Sequence, residues 1–373
     1  MIPYLIVNLV PRRPIGSPQV QFHPLPYLHR RVSADRLSFV ITNPHHGQPE
    51  SVNPQNRYIL YILAAAATAA VGAILTETAL RFFAVTSLSI AFYSNLAGGA
   101  ILLIPILLNG SRPWRGWPAT DWLRLVIGAL AIFCIGFILY YVAIDHIGSG
   151  KTAMLGRLEA ILVVILAVLF LGEKWSARHW LGTLLAVGGT TLVNFDPTLW
   201  ELQLGIGEGL TLLAATFFAV GIVTLKPLLD RRDPRFVTAC GFLIGAAFMT
   251  PFVMGLGPAS LGLPADSPAF AATLTTSAAI AWPVLLMLVI RGLLLGLSWW
   301  SYNAAMPHIG ASRCSVLFLS VVFMTFGLQI TVDAIAPGLG LQVPSNLLTA
   351  AFGGFIIVCG IVLIHRQDAA AAS

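Results

Sequence analysis

The sequence predicts an all-α polytopic membrane protein with ten transmembrane helices, arranged as two inverted five-helix repeats with both termini in the cytoplasm. Three observations lead to this fold class. The apolar residues gather in ten blocks, each near the roughly 20 helical residues that cross the hydrocarbon core of a bilayer. Lys and Arg residues fall almost entirely on one side of these blocks. Motifs in the first five blocks recur in the last five.

The composition is that of a membrane protein. Hydrophobic residues make up 57% of the chain and charged residues only 10%, whereas a soluble domain has about 25% charged residues. The formal net charge of +6 does not indicate nucleic-acid binding, because the basic residues are spread over the loops between apolar blocks. The predicted spans are 58–79, 86–108, 122–144, 152–171, 179–195, 206–227, 236–256, 281–305, 313–332 and 346–364.

The basic residues predict the orientation, because Lys and Arg concentrate in cytoplasmic loops. With the N-terminus inside, Arg81 and Lys151 are the only basic residues in outer loops, and Arg157 and Arg291 fall within spans. The rest of the 21 Lys and Arg residues lie on the cytoplasmic side. Few of them are lysine, a bias typical of GC-rich bacterial genes. We therefore expect a multi-pass protein of the plasma membrane, with the bacterial inner membrane favoured.

The two ends of the chain are predicted to be cytoplasmic tails. Residues 1–57 are rich in proline and arginine and show no sustained apolar period, which favours disorder. A start codon assigned too early and an organellar transit peptide are the alternatives. A short second tail covers 367–373. The four cysteines show no CxxC spacing, so we expect no redox motif, no metal site and no cofactor.

The two halves of the chain, 58–195 and 206–366, are predicted to be repeats of each other. At an offset of 162 residues, the tripeptide His-Ile-Gly at 146–148 aligns with the same tripeptide at 308–310. Each half holds an odd number of spans, so the second half is inverted in the membrane relative to the first. Inverted repeats are typical of transporters, which place a binding site between the halves near the midplane.

Several motifs resemble a known family. The block Leu171-Gly172-Glu173, with the glycine pair at 188–189 that follows it, is similar to the EamA-type repeat of the drug/metabolite transporter superfamily. In the second half, residues 299–304 and 308–312 resemble the family's eighth helix and its junction with the ninth. The resemblance covers roughly residues 58–366. It implies transport and leaves the cargo open, because members export amino acids, move nucleotide sugars or shed drugs.

The segment 148–152 (Gly-Ser-Gly-Lys-Thr) imitates a phosphate-binding P-loop. The full motif needs a glycine five residues before Gly150, and that position is Asp145. A P-loop also follows a strand, whereas this segment follows an apolar helix. We therefore predict a tight outer turn between spans three and four, with Lys151 at the membrane interface.

Four charged residues fall within predicted spans: Glu77, Arg157, Glu159 and Arg291. A charge at the bilayer centre costs about 2.5–3.5 kcal/mol even on permissive scales, so such residues indicate a functional site. The predicted topology places all four in the outer half of the membrane. Arg157 or Arg291 would bind a substrate anion, and Glu159 is the candidate for proton exchange, since a carboxyl group removed from water holds its proton more readily. Structural pairing or snorkelling to the interface is the alternative for each.

Other side chains near these charges are candidates to line a cavity. They are Tyr93, Asn95, Tyr140, Trp299, Trp300 and Tyr302. The alternative for the aromatic residues is an interfacial belt, and for Asn95 a hydrogen bond to another helix. Glu173, beside Lys174 at the inner end of span four, is a candidate for a cytoplasmic gate or for a loop ion pair.

The predicted function is secondary active transport of small polar or amphipathic metabolites, in the efflux direction, by alternating access and with proton coupling. The expected partners are a small-molecule substrate, protons and the lipid bilayer, without nucleic acid, and the expected assembly is a monomer or a homodimer. One alternative is a polytopic membrane enzyme that acts on lipid-linked substrates, which would need a catalytic cluster at one interface. Another is a non-transporting sensor or scaffold. Inverted repeats argue against both.

Overall fold

The computed structural model describes residues 54–83, 85–193, 205–253, 282–339 and 347–372, and every regular element within these ranges is helical. The first half contains α1 (Pro54–Phe82), α2 (Ser87–Leu108), α3 (Ala119–Ala129), a π-helical turn (Leu130–Gly136), α4 (Phe137–Gly156), α5 (Glu159–Leu166), a second π-helical turn (Ala167–Leu171) and α6 (Ala177–Val193). The second half contains α7 (Ile206–Leu229), α8 (Pro234–Val253), α9 (Trp282–Ile309), α10 (Ala311–Phe318), α11 (Ser320–Ile335), a 3₁₀ turn (Pro337–Leu339) and α12 (Leu347–Ala372).

Seven helical stretches in the described residues are long and apolar enough to cross a membrane. They are Arg57–Leu80, Leu88–Leu108, Ala119–Ile144, Ile206–Leu229, Pro234–Val253, Trp282–Ile309 and Ala311–Ile335. Glu159–Leu171 and Ala351–Ile364 are shorter apolar helices. The prediction of an all-helical membrane protein is thereby confirmed for the described residues. A helix lies on each of the ten predicted spans, while ten crossings and the N-in, C-in orientation stay predictions.

The ends of the chain differ in part from the predicted boundaries. The predicted tail 1–57 lies almost wholly outside the described residues, and α1 begins at Pro54, within it. At the other end α12 continues as a helix to Ala372, through the predicted tail 367–373.

The predicted turn between spans three and four was wrong in its local conformation. Residues 148–152 are helical, because α4 runs through them to Gly156. The chain nevertheless turns back in this stretch. A Cβ placed on Gly156 would lie 3.2 Å from Cε2 of Tyr140, whereas a straight helix would separate the two residues by about 24 Å. The reversal is therefore built from helical turns, and it returns the chain beside α4.

Most helix pairs join one half of the chain to the other. Helix α1 packs on α9, α2 on α8, α3 and α4 on α7, α5 on α10, and α6 on α12. Glycines allow several of these contacts. A Cβ on Gly98 would lie 2.8 Å from the Gly292 carbonyl oxygen, and one on Gly360 would lie 2.5 Å from that of Gly182. Small residues at such positions let membrane helices approach closely.

Candidate functional site

A cluster of polar side chains surrounds the break between α4 and α5. Arg157 lies in this two-residue break, and Glu159 is the first residue of α5. Arg157 interacts electrostatically with Glu159 and with Tyr140 on α4. Tyr302 on α9 also lies within electrostatic range of Glu159. The structure therefore brings together four of the predicted site residues, three from the first half and one from the second.

The Arg157 guanidinium is not fully satisfied. Its Nε is buried and has no hydrogen-bond partner in the described part of the chain. A buried donor without an acceptor costs free energy, which a bound acceptor group would recover. The neighbouring Tyr302 is anchored instead, because its hydroxyl lies 2.8 Å from the Ser315 hydroxyl on α10.

Arg291 on α9 meets the first half of the chain rather than lipid. Its Nε donates a hydrogen bond to Thr76 Oγ1 on α1 at 2.8 Å. A Cβ on Gly72 would stand only 3.5 Å from the Arg291 Cδ, so that glycine leaves room for the side chain. The Tyr141 hydroxyl is a further polar neighbour of the guanidinium. Within the described ranges Arg291 has no carboxylate partner.

The Glu77 side chain contacts a different helix from that of its neighbour Thr76. Its Oε2 accepts a hydrogen bond from Gln329 Nε2 on α11 at 3.3 Å. Glu77 therefore links α1 to α11, whereas Thr76 links α1 to α9. Its predicted role in a charged cavity shared with Arg157, Glu159 and Arg291 stays a prediction.

The aromatic candidates divide between the cluster and other interfaces. Trp299 lies between Phe133 and Tyr302, with ring centroids 5.1 and 5.7 Å away. Trp300, the next residue, faces Tyr61 on α1 at 6.3 Å. Tyr93 packs with the apolar residues that join α1, α2 and α9. Trp299 thus belongs with the cluster, and the other two belong to helix packing.

Asn95 takes the second of its two predicted roles. It is completely buried, and its Nδ2 donates a hydrogen bond to the Phe133 carbonyl oxygen at 3.0 Å. Phe133 lies within the first π-helical turn, where the regular hydrogen-bond ladder of the helix is interrupted. Asn95 therefore joins α2 to this turn.

Glu173 connects the two halves at the end of α5. The preceding Gly172 adopts a left-handed conformation, with φ of +67°, that ends the helix. The Glu173 carboxylate accepts hydrogen bonds from the backbone N–H groups of Ala311 (2.7 Å) and Ser312 (3.2 Å). It therefore caps the N-terminus of α10, where a negative charge is favourable. The predicted loop ion pair with Lys174 is not found in the described residues.

Two further ion pairs were not foreseen. Lys151, in the helical reversal near the end of α4, pairs with Glu208 on α7. Asp121, at the start of α3, has a side chain that is 1% exposed and lies 2.7 Å from Arg232. The sequence held a signal for each. Glu208 follows Gly205 by three residues at a helix start, the spacing of a capping box, and Asp121 is an acidic residue in the first turn of an apolar helix.

The described residues contain no group of three or more His, Cys, Asp or Glu side chains that could hold a metal ion. The side chains of the cluster themselves offer hydrogen bonds and charge. Arg157 supplies a buried donor, Glu159 a carboxyl group, and Tyr140 a hydroxyl beside them.

Comparison with known proteins finds a family model that the first half of the chain matches. Residues 56–195 match the family model described as the EamA-like transporter family, which confirms the predicted resemblance over that range. An uncharacterized transporter from Synechocystis sp. is 31% identical over 171 residues, which cover 40% of this chain and 50% of the relative. The pseudopaline exporter of Pseudomonas aeruginosa is 26% identical over 145 residues, which cover 38% of this chain and 48% of the exporter. The chain spans about half the length of these curated relatives.

The fold is shared with a solved structure. A crystal structure superposes with a TM-score of 0.61 and 17% sequence identity, covering 82% of this chain and 96% of the other. At this identity the likeness shows the fold alone.

Proposed function

We propose that the chain is a secondary active transporter, on the basis that residues 56–195 match the EamA-like transporter family model. It would export small polar or amphipathic metabolites by alternating access between two inverted halves. The family match points to transport rather than to an enzyme, and the exporter from Pseudomonas aeruginosa among its relatives supports the outward direction.

The pairing of the helices supports two inverted halves. A two-fold axis between halves would exchange each span with the span five places later. The α1–α9 contact would then become the contact of α3 and α4 with α7, while the α2–α8, α5–α10 and α6–α12 contacts would map onto themselves. All of these contacts are present. This arrangement suits a rocking motion of one half against the other around a central site.

The observation that carries the proposal is the buried, unpartnered Nε of Arg157 beside Glu159. A substrate with an acidic group would satisfy the guanidinium, and Arg291, whose described partners are neutral, offers a second cation. Glu159 would exchange a proton against the substrate, because a carboxyl group among apolar residues changes its protonation when a nearby charge arrives or leaves. The substrate would therefore carry at least one anionic group.

A ligand-stabilisation screen followed by a transport assay tests the proposal. Purified protein is heated with metabolites grouped as anionic, zwitterionic, cationic and neutral. We expect anionic or zwitterionic compounds to raise the melting temperature, since a ligand that binds only the folded state stabilises it. A stabilising compound should then exchange across proteoliposome membranes. Stabilisation by cationic compounds alone, or no exchange of any stabilising compound, would contradict the proposal.

A further inference from the structure

Two chain junctions at opposite ends of the bundle occupy the same position in the predicted repeats. The first is the helical reversal near the end of α4, and it contains Lys151. The second joins α9 to α10 at Gly310. The shared His-Ile-Gly tripeptide aligns them at an offset of 162 residues. In the predicted topology the first junction faces outside and the second faces the cytoplasm.

Each junction is held by a carboxylate that comes from the other half of the chain. At the second junction, the carboxylate of Glu173 from the first half accepts the N–H groups of Ala311 and Ser312. At the first junction, Glu208 from the second half pairs with Lys151. The two contacts are thus reciprocal, because each half supplies one of the two carboxylates.

We propose that these two carboxylate contacts are the latches of the transport cycle. The Glu173 latch closes the cytoplasmic end and the Glu208 latch closes the outer end. This inference rests on the proposed transport function and names the residues that control access to its site. One latch opens while the other stays closed, and both are closed in the structure described here.

The local geometry suits contacts that hold each junction closed and break when that end of the transporter opens. Gly310 has φ of +87°, and a Cβ there would lie 3.1 Å from Glu173 Oε1, so the glycine lets the carboxylate approach. The Lys151 and Glu208 side chains are 15% and 8% exposed, so water reaches them when they part. By contrast, Asp121 and Arg232 join α3 to the end of α7, where α3 packs along both α7 and α8. That contact ties the halves together without guarding a junction.

Cysteine accessibility tests the latches without any substrate. Cys314, three residues beyond Ala311, is fully buried and reports on the cytoplasmic end. Its repeat equivalent is Thr152, also fully buried, and Thr152→Cys reports on the outer end, with Ala153→Cys as a second position. Cys134, Cys240 and Cys359 are changed to Ser, and Cys314 also becomes Ser when the outer reporter is used. A membrane-impermeant thiol reagent is applied from each face of oriented vesicles.

Glu173→Ala should raise the labelling rate of Cys314 from the cytoplasmic face about tenfold, the effect of losing a charge-assisted hydrogen bond from one of two states. Glu208→Gln should raise labelling at the outer reporter and leave Cys314 unchanged. Glu173→Gln, which retains one acceptor, should give an intermediate rate if the Ala variant does not fold. Asp230→Asn removes an exposed carboxylate that pairs within its own helix with Lys226, and it should change neither rate.

Unchanged labelling in a folded Glu173 variant would overturn the inner latch, and unchanged labelling in Glu208→Gln would overturn the outer one. A rise at both reporters in either variant would show general loosening and overturn both. Reporters that respond as expected in a protein that exchanges no metabolite would instead reject the transport function while leaving the latches in place.

Discussion

At the scale of single residues, the proposed transport site consists of charged side chains within apolar segments that are predicted to cross the membrane. Arg291 has the clearest contacts, since its guanidinium reaches across from α9 to Thr76 on α1. A positive charge with neutral protein partners in such a place is costly to retain. A transported anion would offset that cost each time it binds.

Arg291→Ala should therefore lower the rate of transport by about tenfold or more, because a hydrogen bond to a charged group contributes about 1.5–3 kcal/mol. The variant should still insert into the membrane and elute as a single species. Arg178→Ala, at an exposed position near the start of α6, is the matched control and should transport normally. Proteoliposome exchange measures both, and wild-type exchange in the Arg291 variant would remove this residue from the site.

Glu159→Gln tests the coupling ion. Glutamine keeps the shape of the side chain and removes the proton that could be exchanged. In the wild type an inward proton gradient should accelerate export, and in the variant the rate should not respond to that gradient. Export that still follows the gradient in Glu159→Gln would assign proton exchange to another group.

The sequence alone can single out a candidate residue when its own side chain carries the signal. Charges in apolar blocks identified Arg157 and Glu159, which the structure brings together with Tyr140 and Tyr302. The partners of Asn95 and Glu173 could not be predicted, because they are backbone groups far away in sequence. Their positions depend on how the helices pack.

At the scale of helices, the π-helical turn at Leu130–Gly136 is the main irregularity in the middle of a span. Phe133 within it contacts the Gly241 and Gly245 positions of α8, and its carbonyl accepts the Asn95 amide. Such turns are frequent at functional sites in α-helices. Here the turn presents the Phe133 ring to Trp299 beside the charged cluster.

Asn95→Ala should destabilise the protein by about 1–3 kcal/mol, because the buried Phe133 carbonyl would lose its side-chain partner. Thermal unfolding in detergent would show this as a lower melting temperature. Thr216→Ala is a control, since its exposed hydroxyl bonds only within its own helix in the contacts described, and it should melt like the wild type. Equal melting of the two variants would mean that Asn95 does not support the turn.

Hydropathy predicted the positions of the helices better than it predicted the conformation of the segments that connect them. All ten predicted blocks coincide with helices, because apolar length is what a bilayer selects. The segment 148–152 was predicted to be a tight turn between spans three and four. The backbone instead stays helical as it reverses, and glycine content alone does not distinguish these two conformations.

At the scale of the whole molecule, we propose that two inverted halves enclose a charged site. The helix pairs and the reciprocal contacts of Glu173 and Glu208 agree with this claim, since each joins the halves. Inversion also requires that each loop of the first half and the equivalent loop of the second half lie on opposite sides of the membrane.

Reporter fusions along the chain measure this directly, without knowledge of the substrate. Fusions at Pro113 and Arg232 should report the cytoplasm, because basic residues flank both positions and such loops stay inside. Fusions at Pro197 and Pro264, in stretches without Lys or Arg, should report the outside. A cytoplasmic signal at Pro264 would contradict the inverted-repeat arrangement, and with it the alternating-access mechanism built on it.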